Sequence, residues 1–269
     1  MLLVIEVGNT NTKIGIFSGP RLLASWRLTT RREQTADEYG VFIQTLLSTR
    51  GIEQQRVTGV AISNVVPTVQ QTLEAMSDAY FGVQPFSVEP GRSDTVPLAV
   101  EAPHEVGADR ICDIVGGVTL YGSPLIVVNF GTATTFDCVN ARGEFIGGAI
   151  APGLVTASEA LISRTARLYR VELLQPKEAI GRNTVTNIQS GVMYGWAGLV
   201  DGLVDRMRAE MGAPVKVVAT GGLAGQLRGV ARTIDLVNQD LTIEGLRAIW
   251  ERAHPPTSLG DPQRDSKRG

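Results

Sequence analysis

A ten-residue pattern occurs twice in this 269-residue chain and constrains its fold more than any other feature. Three apolar residues, a polar one, an apolar one, Gly and a polar cluster ending in Thr run from Leu3 to Thr12 and again from Ile126 to Thr135. Such a pattern is typical of a buried strand that ends in a tight glycine turn before a second strand. Glycine lets backbone N–H groups approach an anion closely. Two such turns facing each other across a cleft could hold a nucleotide.

The order of the predicted elements is also duplicated. For the first half we predict strands at 2–7, 12–18 and 22–29, a helix at 36–49, a strand at 57–63, a helix at 68–80, a loop with a short strand over 82–103 and a helix over 105–121. For the second half we predict strands at 125–129, 133–139 and 144–151, a helix at 153–163, a loop at 164–182, a helix at 185–211, a strand at 215–219 and helices at 222–230 and 242–253. Three adjacent strands before a helix indicate a mixed sheet.

Two similar α/β domains around a cleft are therefore expected, over residues 1–121 and 122–254. The best-marked helix is 36–49, where apolar residues recur at helical spacing, Thr35 is a suitable N-cap and Gly51 follows the end. Residues 255–269 carry almost no apolar side chains and are predicted to be a disordered tail.

Composition narrows the function classes. The formal net charge is −2, and the only dense run of Lys and Arg is at the C-terminus, so a nucleic-acid partner or an anionic membrane surface is not expected. No apolar stretch reaches the ~18 residues of a membrane span, and the first residues do not resemble a signal peptide. Cys112 and Cys138 stand apart, which favours two core thiols in a reducing cytoplasm over a disulfide or zinc site. His104 and His254 are predicted to be surface residues.

Five spaced motifs resemble those of one kinase family. The Gly8–Lys13 turn resembles the first phosphate loop of the acetate and sugar kinase, Hsp70 and actin superfamily, and Thr220-Gly221-Gly222 resembles its adenosine motif. The stretches 106–110, 130–135, 147–153, 181–184 and 189–191 more narrowly resemble the type III pantothenate kinases. The resemblance covers about residues 2–253 in order. It implies two ribonuclease H-like, actin-like ATPase domains with mixed sheets around a central nucleotide cleft.

The same resemblance implies a homodimer that uses ATP, Mg²⁺ and a monovalent cation, K⁺ or NH₄⁺, to phosphorylate pantothenate. The implied product is 4′-phosphopantothenate, in the first step of coenzyme A biosynthesis. The positions that it assigns to ATP are Glu6, Val7, Gly8, Asn9, Thr10, Asn11, Thr12, Lys13, Thr132, Gly221 and Gly222. Those that it assigns to the substrate are Val100, Gly107, Ala108, Asp109, Arg110 and Thr184, with Thr184 donated by the partner subunit as one arrangement.

Asp109 is the predicted catalytic base. Phosphoryl transfer to an alcohol needs a carboxylate that orients the hydroxyl and accepts its proton late in a loose transition state. A short acid at the start of a helix suits that geometry, and Arg110 beside it could hold the carboxylate of pantothenate. A surface Asp–Arg pair near a helix N-terminus is the structural alternative. For Thr184, the alternative is a helix cap.

Three positions depart from the family pattern. Glu6 stands where the first strand normally ends in Asp and would organise Mg²⁺ with a side chain one methylene longer. Asn129 stands where Asp normally lies next to the monovalent cation, so the cation would meet an amide dipole instead of a charge. Val100 takes the place of a Tyr that contacts pantothenate and offers no hydrogen bond.

These departures leave alternatives open. A catalytically weakened paralogue could bind nucleotide or pantothenate as a sensor or accessory protein. A kinase for another small alcohol is a further hypothesis, and a filament-forming actin-like protein is another, because related folds serve several functions. An apolar stripe over 188–204 is compatible with a dimer interface and equally with a core helix.

Overall fold

Two mixed five-stranded sheets dominate the computed structural model, which describes residues 1–91 and 96–255. The first sheet contains β1 (Leu2–Val7), β2 (Asn11–Ser18), β3 (Arg21–Thr29), β4 (Gly59–Asn64) and β5 (Phe86–Val88) in the order β3-β2-β1-β4-β5. The second contains β6 (Leu125–Phe130), β7 (Ala133–Val139), β8 (Phe145–Pro152), β9 (Lys216–Thr220) and β10 (Leu236–Val237) in the order β10-β9-β6-β7-β8.

The two sheets have one topology. The central strand of each, β1 or β6, pairs antiparallel with the strand that follows it and parallel with β4 or β9 on its other side. Almost every residue of β1 and β6 is buried, as expected for strands covered on both faces. The predicted duplication is confirmed, and both halves of the chain have the same ribonuclease H-like sheet topology.

The strand-end turns differ by one residue. In the first, the Gly8 amide donates to the Asn11 carbonyl oxygen over 2.9 Å. In the second, the Gly131 amide donates to the Ala133 carbonyl oxygen over 3.0 Å. Glu6 and Asn129 both occupy the fifth position of their strands, as the sequence pattern predicts. Beyond the turns the match shifts by one residue, because the second turn is shorter.

Seven helices connect and cover the sheets in the described part of the chain. They are α1 (Ala36–Ser48), α2 (Gln70–Phe81), α3 (Ala108–Tyr121), α4 (Leu154–Ser163), α5 (Thr184–Met211), α6 (Ala224–Leu227) and α7 (Leu241–Ala253). Thr35 caps α1 as predicted: its Oγ1 accepts from the Glu38 amide, and the Glu38 carboxylate accepts from the Thr35 amide. This reciprocal pair satisfies two N–H groups that the first turn of a helix leaves unpaired.

Two helices from different halves of the sequence share the layer between the sheets. Helix α3 packs on β6 and β4, whereas the C-terminal helix α7 packs on β1, β2 and β4 of the first sheet. The helices cross closely, since a Cβ on Gly245 would lie 1.8 Å from the Cys112 carbonyl oxygen. One hydrophobic cluster therefore includes both Val4 and Val127. The two halves are joined by a shared core as well as by the chain between them.

Several local predictions change. Helix α6 covers four residues where 222–230 was predicted, and the two-residue strand β10 was missed because so short a strand carries no periodicity. The apolar stripe of α5 lies in its own domain's core, with Ile188, Met193 and Val200 buried, so it does not form a free interface. Residues 164–182 contain no helix or strand, as predicted. The predicted tail, except Pro255, lies outside the described residues.

The predictions for the cysteine and histidine side chains are confirmed. Cys112 and Cys138 are buried free thiols. His104 and His254 are exposed, and His254 stacks on Trp250. Within residues 1–91 and 96–255, no helix is both long and apolar enough to cross a membrane.

Candidate functional site

The two glycine turns meet across the cleft. The Thr10 hydroxyl of the first turn lies 2.9 Å from the Thr132 hydroxyl of the second, a hydrogen bond between residues 122 positions apart. Both side chains are exposed, and so are Asn9 and Asn11 beside them. The turns thus present polar side chains to one crevice. This arrangement is suited to an anion with several oxygens, such as a polyphosphate.

Glu6 lies near the end of β1, next to the first glycine turn. A Cβ on Gly8 would lie 3.3 Å from Glu6 Oε1, so the carboxylate is tucked against the first turn. Burial raises the pKa of Glu6 to about 8, with the negative charges of Asp109 and Asp113 adding to the effect, while Lys13 and Arg27 oppose it. Several acids therefore lie close enough to interact at the first strand end, and a bound cation would stabilise their ionised forms.

Asp109 lies in the first turn of α3, close enough to Glu6 for their charges to interact. Its Oδ1 accepts the Arg110 amide over 2.8 Å, and a Cβ on Gly107 would come within 2.6 Å of the same oxygen. Gly107 therefore leaves the space that the carboxylate occupies. Burial raises the pKa of Asp109, although the Arg110 amide and guanidinium oppose the shift. A partly desolvated acid of this kind is suited to accepting a proton.

Arg110 is held by a buried acid. Its Nε and Nη2 donate to Asp137 Oδ1 over 2.8 and 2.6 Å, and its guanidinium lies 5.4 Å from the centre of the Phe145 ring. Asp137 is fully buried, and its Oδ2 has no hydrogen-bond partner. The predicted Val100 lies on the same side, since a Cβ on Gly147 would be 4.0 Å from Val100 Cγ1. Arg110 and Val100 thus both border strand β8.

Asn129 lies between the second phosphate turn and the predicted adenosine turn. Its Oδ1 is 2.5 Å from the position of a Cβ on Gly221, where the Phe130 carbonyl oxygen would also lie within 2.6 Å. Gly221 has φ +89°, a conformation that favours glycine. Gly222 is exposed beside it, and a Cβ there would approach Arg27 Nη1 to 3.0 Å. The predicted nucleotide motifs of both halves are therefore adjacent.

Four predicted site residues direct their side chains elsewhere. Val7 and Ala108 are buried in the apolar clusters and offer only their backbone to a ligand. The Thr12 hydroxyl is 3.0 Å from the Thr30 hydroxyl, and the Lys13 amine forms an ion pair with Asp240 at 2.9 Å. Lys13 also donates to the Gln239 carbonyl oxygen, so its charge links the first sheet to the start of α7.

Thr184 lies apart from the crevice. It is exposed at the first position of α5 and lines a cavity of about 580 Å³ between α4 and α5, with Ile188 and Trp196. None of the phosphate-turn residues, nor Asp109, lines this cavity. The helix-cap alternative for Thr184 is wrong, because Asn183 is the N-cap and its Oδ1 accepts the Thr186 amide.

The sequence reasoning missed Asp113, Asp137 and Arg27. Asp113 is 1% exposed, and burial raises its pKa to about 7. One signal was available: Asp113 follows Asp109 by four residues, so both face one side of α3. Within the described ranges, no group of three or more His, Cys, Asp or Glu side chains could hold a metal ion alone.

Comparison with protein families and curated relatives gives one consistent result. The model of the type III pantothenate kinase family matches residues 2–206. A type III pantothenate kinase from Myxococcus xanthus is 48% identical over 254 residues, which is 94% of this chain and 99% of that protein. Another from Moorella thermoacetica is 49% identical over 252 residues, with the same coverage of both chains.

Solved structures resemble the chain in fold. A conserved Baf family protein from Campylobacter jejuni superposes with a TM-score of 0.59 at 19% identity and covers 93% of this chain and 98% of its own. Component A of (R)-2-hydroxyglutaryl-CoA dehydratase from Acidaminococcus fermentans gives 0.55 at 14% identity and covers 92% and 95%. At these identities the likeness concerns the fold alone.

Proposed function

The chain belongs to the type III pantothenate kinase family and phosphorylates pantothenate with ATP on the route to coenzyme A; within that reaction, we propose that Asp109 is the catalytic base. The observation that carries this role is the position of Asp109 in the first turn of α3, where Gly107 leaves space for its carboxylate and where its charge interacts with that of Glu6. A weakened paralogue would not need this arrangement, and the relatives that match nearly full length are kinases.

The chemistry follows from the loose transition state of phosphoryl transfer. The primary hydroxyl of pantothenate becomes acidic only as its bond to phosphorus forms, so the base need only orient it early and accept the proton late. Because the pKa of Asp109 is raised, it lies closer to the pKa of the substrate hydroxyl, which favours proton transfer to Asp109 in that late step. The amides and hydroxyls around Gly8 and Gly131 hold the terminal phosphate in line with that oxygen.

Arg110 is the proposed partner of the pantothenate carboxylate. Both of its donors that point to Asp137 share one oxygen, Oδ1, which anchors the guanidinium at its Nε edge. A guanidinium has five donors, so others remain for an anionic substrate. Val100 and Phe145 give this side of the pocket an apolar wall.

The residues at the first strand end fit Mg²⁺. Magnesium commonly binds through one or two carboxylates plus substrate phosphates and keeps several waters. Glu6 supplies such a carboxylate beside the phosphate turn, where neighbouring acids destabilise its charge. When bound, the ion would neutralise charge on the phosphates of ATP.

A monovalent cation fits the second strand end. The Asn129 amide oxygen and the Phe130 carbonyl oxygen both lie within 2.6 Å of the Cβ position of Gly221, and such oxygens suit a hard cation. Because Asn129 carries no charge, we expect a weaker or less selective K⁺ response than an Asp would give. Measuring the rate in K⁺, NH₄⁺ and Na⁺ at constant ionic strength tests this, and a strong activation confined to K⁺ would contradict it.

A homodimer is the proposed assembly. Its support is an exposed apolar surface around α4 and the segment after it, where Leu161 is 44%, Leu174 50% and Ile180 81% exposed. Large exposed apolar areas commonly mark protein interfaces. Thr184 borders this surface and not its own crevice, which suits donation to the partner's substrate. Sedimentation velocity of the parent and an Ile180→Glu variant tests the assembly; a monomeric parent would contradict it.

The test of the base is Asp109→Asn with pantothenate, ATP, Mg²⁺ and K⁺. The amide keeps the size of the side chain but cannot accept the proton, so kcat should fall by about 10³-fold. ATP affinity and the thermal midpoint should change little. An Asp78→Asn variant, at an exposed position of α2, is the control for a change of charge. Retained turnover in Asp109→Asn would overturn the assignment.

A further inference from the structure

Three polar side chains from three elements form a network behind the second strand end. Asn129 of β6 donates through Nδ2 to Asp113 Oδ2 over 2.6 Å, and Thr242 of α7 donates through Oγ1 to Asp113 Oδ1 over 2.6 Å. Asp113 is 1% and Thr242 8% exposed. A buried carboxylate is costly unless hydrogen bonds replace its water, and here each oxygen has a donor. These two hydrogen bonds favour the ionised form of Asp113 and oppose the burial that raises its pKa to about 7.

The network fixes which way Asn129 faces. An amide has a donating and an accepting end, and an ionised carboxylate accepts only. With Nδ2 committed to Asp113, the accepting Oδ1 faces the glycine turns, 2.5 Å from a Cβ position on Gly221 and 3.6 Å from one on Gly131. This contact also explains why residue 221 must lack a side chain.

We propose that Asp113 is a positioning residue for the second strand end: it supplies the negative charge that β6 lacks and keeps the Asn129 amide oxygen directed into the nucleotide crevice. The proposal rests on the proposed role of Asn129. If it is correct, the carboxylate of Asp113 and the amide of Asn129 can exchange positions. One carboxylate and one amide at hydrogen-bonding distance are compatible in either order, whereas two carboxylates repel each other and two amides lack the charge.

A cycle of four proteins tests the exchange: the parent, Asn129→Asp, Asp113→Asn and the double variant. Asn129→Asp places a half-buried carboxylate in contact with the buried Asp113 and should lower the thermal midpoint by about 5 °C or more. Asp113→Asn frees the orientation of Asn129 and should raise the KM for ATP by about fivefold, roughly the value of one hydrogen bond. The double variant should recover more than half of both losses.

Thr242→Val is a further test of the network, and Thr233→Val is its matched control. The Thr233 hydroxyl donates to Asp201 Oδ1 over 2.7 Å, another buried Thr–Asp contact, but away from the crevice. Both variants should lower the thermal midpoint. Only Thr242→Val should also raise the KM for ATP, because it loosens the carboxylate that holds Asn129. An equal effect of both on KM would overturn the positioning role.

The outcomes separate this inference from the proposed reaction. If the double variant is no better than the sum of the single variants, the exchange is wrong, even if Asp109→Asn abolishes turnover. If Asn129→Asp does not fold, a folded double variant supports the exchange and an unfolded one contradicts it. The thermal midpoints require no turnover, so a failure of the Asp109 assignment leaves that part of the cycle intact.

Discussion

The central strands of the two sheets share position, burial and topology but differ in the chemistry at their ends. β1 carries its acid on the strand, as Glu6, beside the turn at Gly8. β6 carries the neutral Asn129, and the nearest carboxylate, Asp113, projects from α3. Two strand ends of the same topology can therefore approach the phosphates from two sides and still differ in function, because their side chains differ. In our proposal the acid of the first end binds a metal ion, whereas the second end offers neutral oxygens.

The largest expected effect among variants at the two ends is that of Gly221→Ala. A Cβ there would lie 2.5 Å from Asn129 Oδ1 and 2.7 Å from the Phe130 nitrogen, and φ +89° is unfavourable for alanine. We expect kcat/KM for ATP to fall by about 10²-fold, because displacements of this size disrupt alignment. Steady-state kinetics measure it. Gly229→Ala, where nothing lies within 4 Å of the new Cβ, is the control and should change little.

Glu6→Asp tests the first strand end. Shortening the side chain withdraws the carboxylate from the Gly8 turn by about one methylene, so kcat should fall by about tenfold at saturating ATP. Titrating Mg²⁺ should show weaker activation by the metal. A clear rise in kcat would mean that Glu6 is a handicap and that the first end is not adapted to the longer acid.

Asp137→Asn tests whether a buried acid prepares Arg110 for the substrate. Burial raises the pKa of Asp137 to about 6, although Arg110 opposes the shift. Below that pH the carboxyl is protonated and holds the guanidinium less firmly, so the KM for pantothenate should rise several-fold as the pH falls through about 6. Asp137→Asn should show the high KM at every pH. A parent KM that is flat from pH 5 to 8 would refute this role.

The contribution of Asp137 to the free energy of unfolding should fall as the pH rises, although pantothenate binding improves. The folded-state pKa lies above the ordinary 3.8, so the folded protein favours the protonated acid. That contribution to stability is fully present below about pH 4 and is lost as the pH rises through about 6.

The smallest expected effect is that of Asp240→Asn at the start of α7. Asp240 is 35% exposed in its ion pair with Lys13, so solvent screens the contact. We expect a loss of less than about 1 kcal/mol in the free energy of unfolding, measured by chemical denaturation, and a nearly unchanged kcat. A large loss of turnover would instead indicate that the Lys13 charge must be held away from the crevice.

The sequence was sufficient for the local patterns and for the duplication. Strand-end positions such as Glu6 and Asn129, and the cap at Thr35, depend on neighbours a few residues away, which a pattern records directly. The assignment of α7 to the second half by chain order did not foresee its packing on the first sheet, because apolar periodicity shows which face is buried but not against which sheet.

The missed site residues have a related explanation. Asp113 interacts with Asn129 and Thr242, which are 16 and 129 positions away, and Asp137 with Arg110, 27 positions away. Each acid stands in an apolar stretch where sequence alone gives no partner. Only the folded arrangement of β6, β7 and α3 brings these acids to the partners that stabilise them in the interior, and so shows their roles.

A crystal structure with pantothenate, Mg²⁺ and a non-hydrolysable ATP analogue would show whether both strand ends hold the phosphates of one nucleotide in line with Asp109. We expect the terminal phosphate among the amides near Gly8 and Gly131, and the primary hydroxyl oxygen about 2.6–3.2 Å from an Asp109 carboxylate oxygen. A terminal phosphate bound by only one turn, or a hydroxyl beyond reach of Asp109 with its carboxylate paired elsewhere, would contradict it.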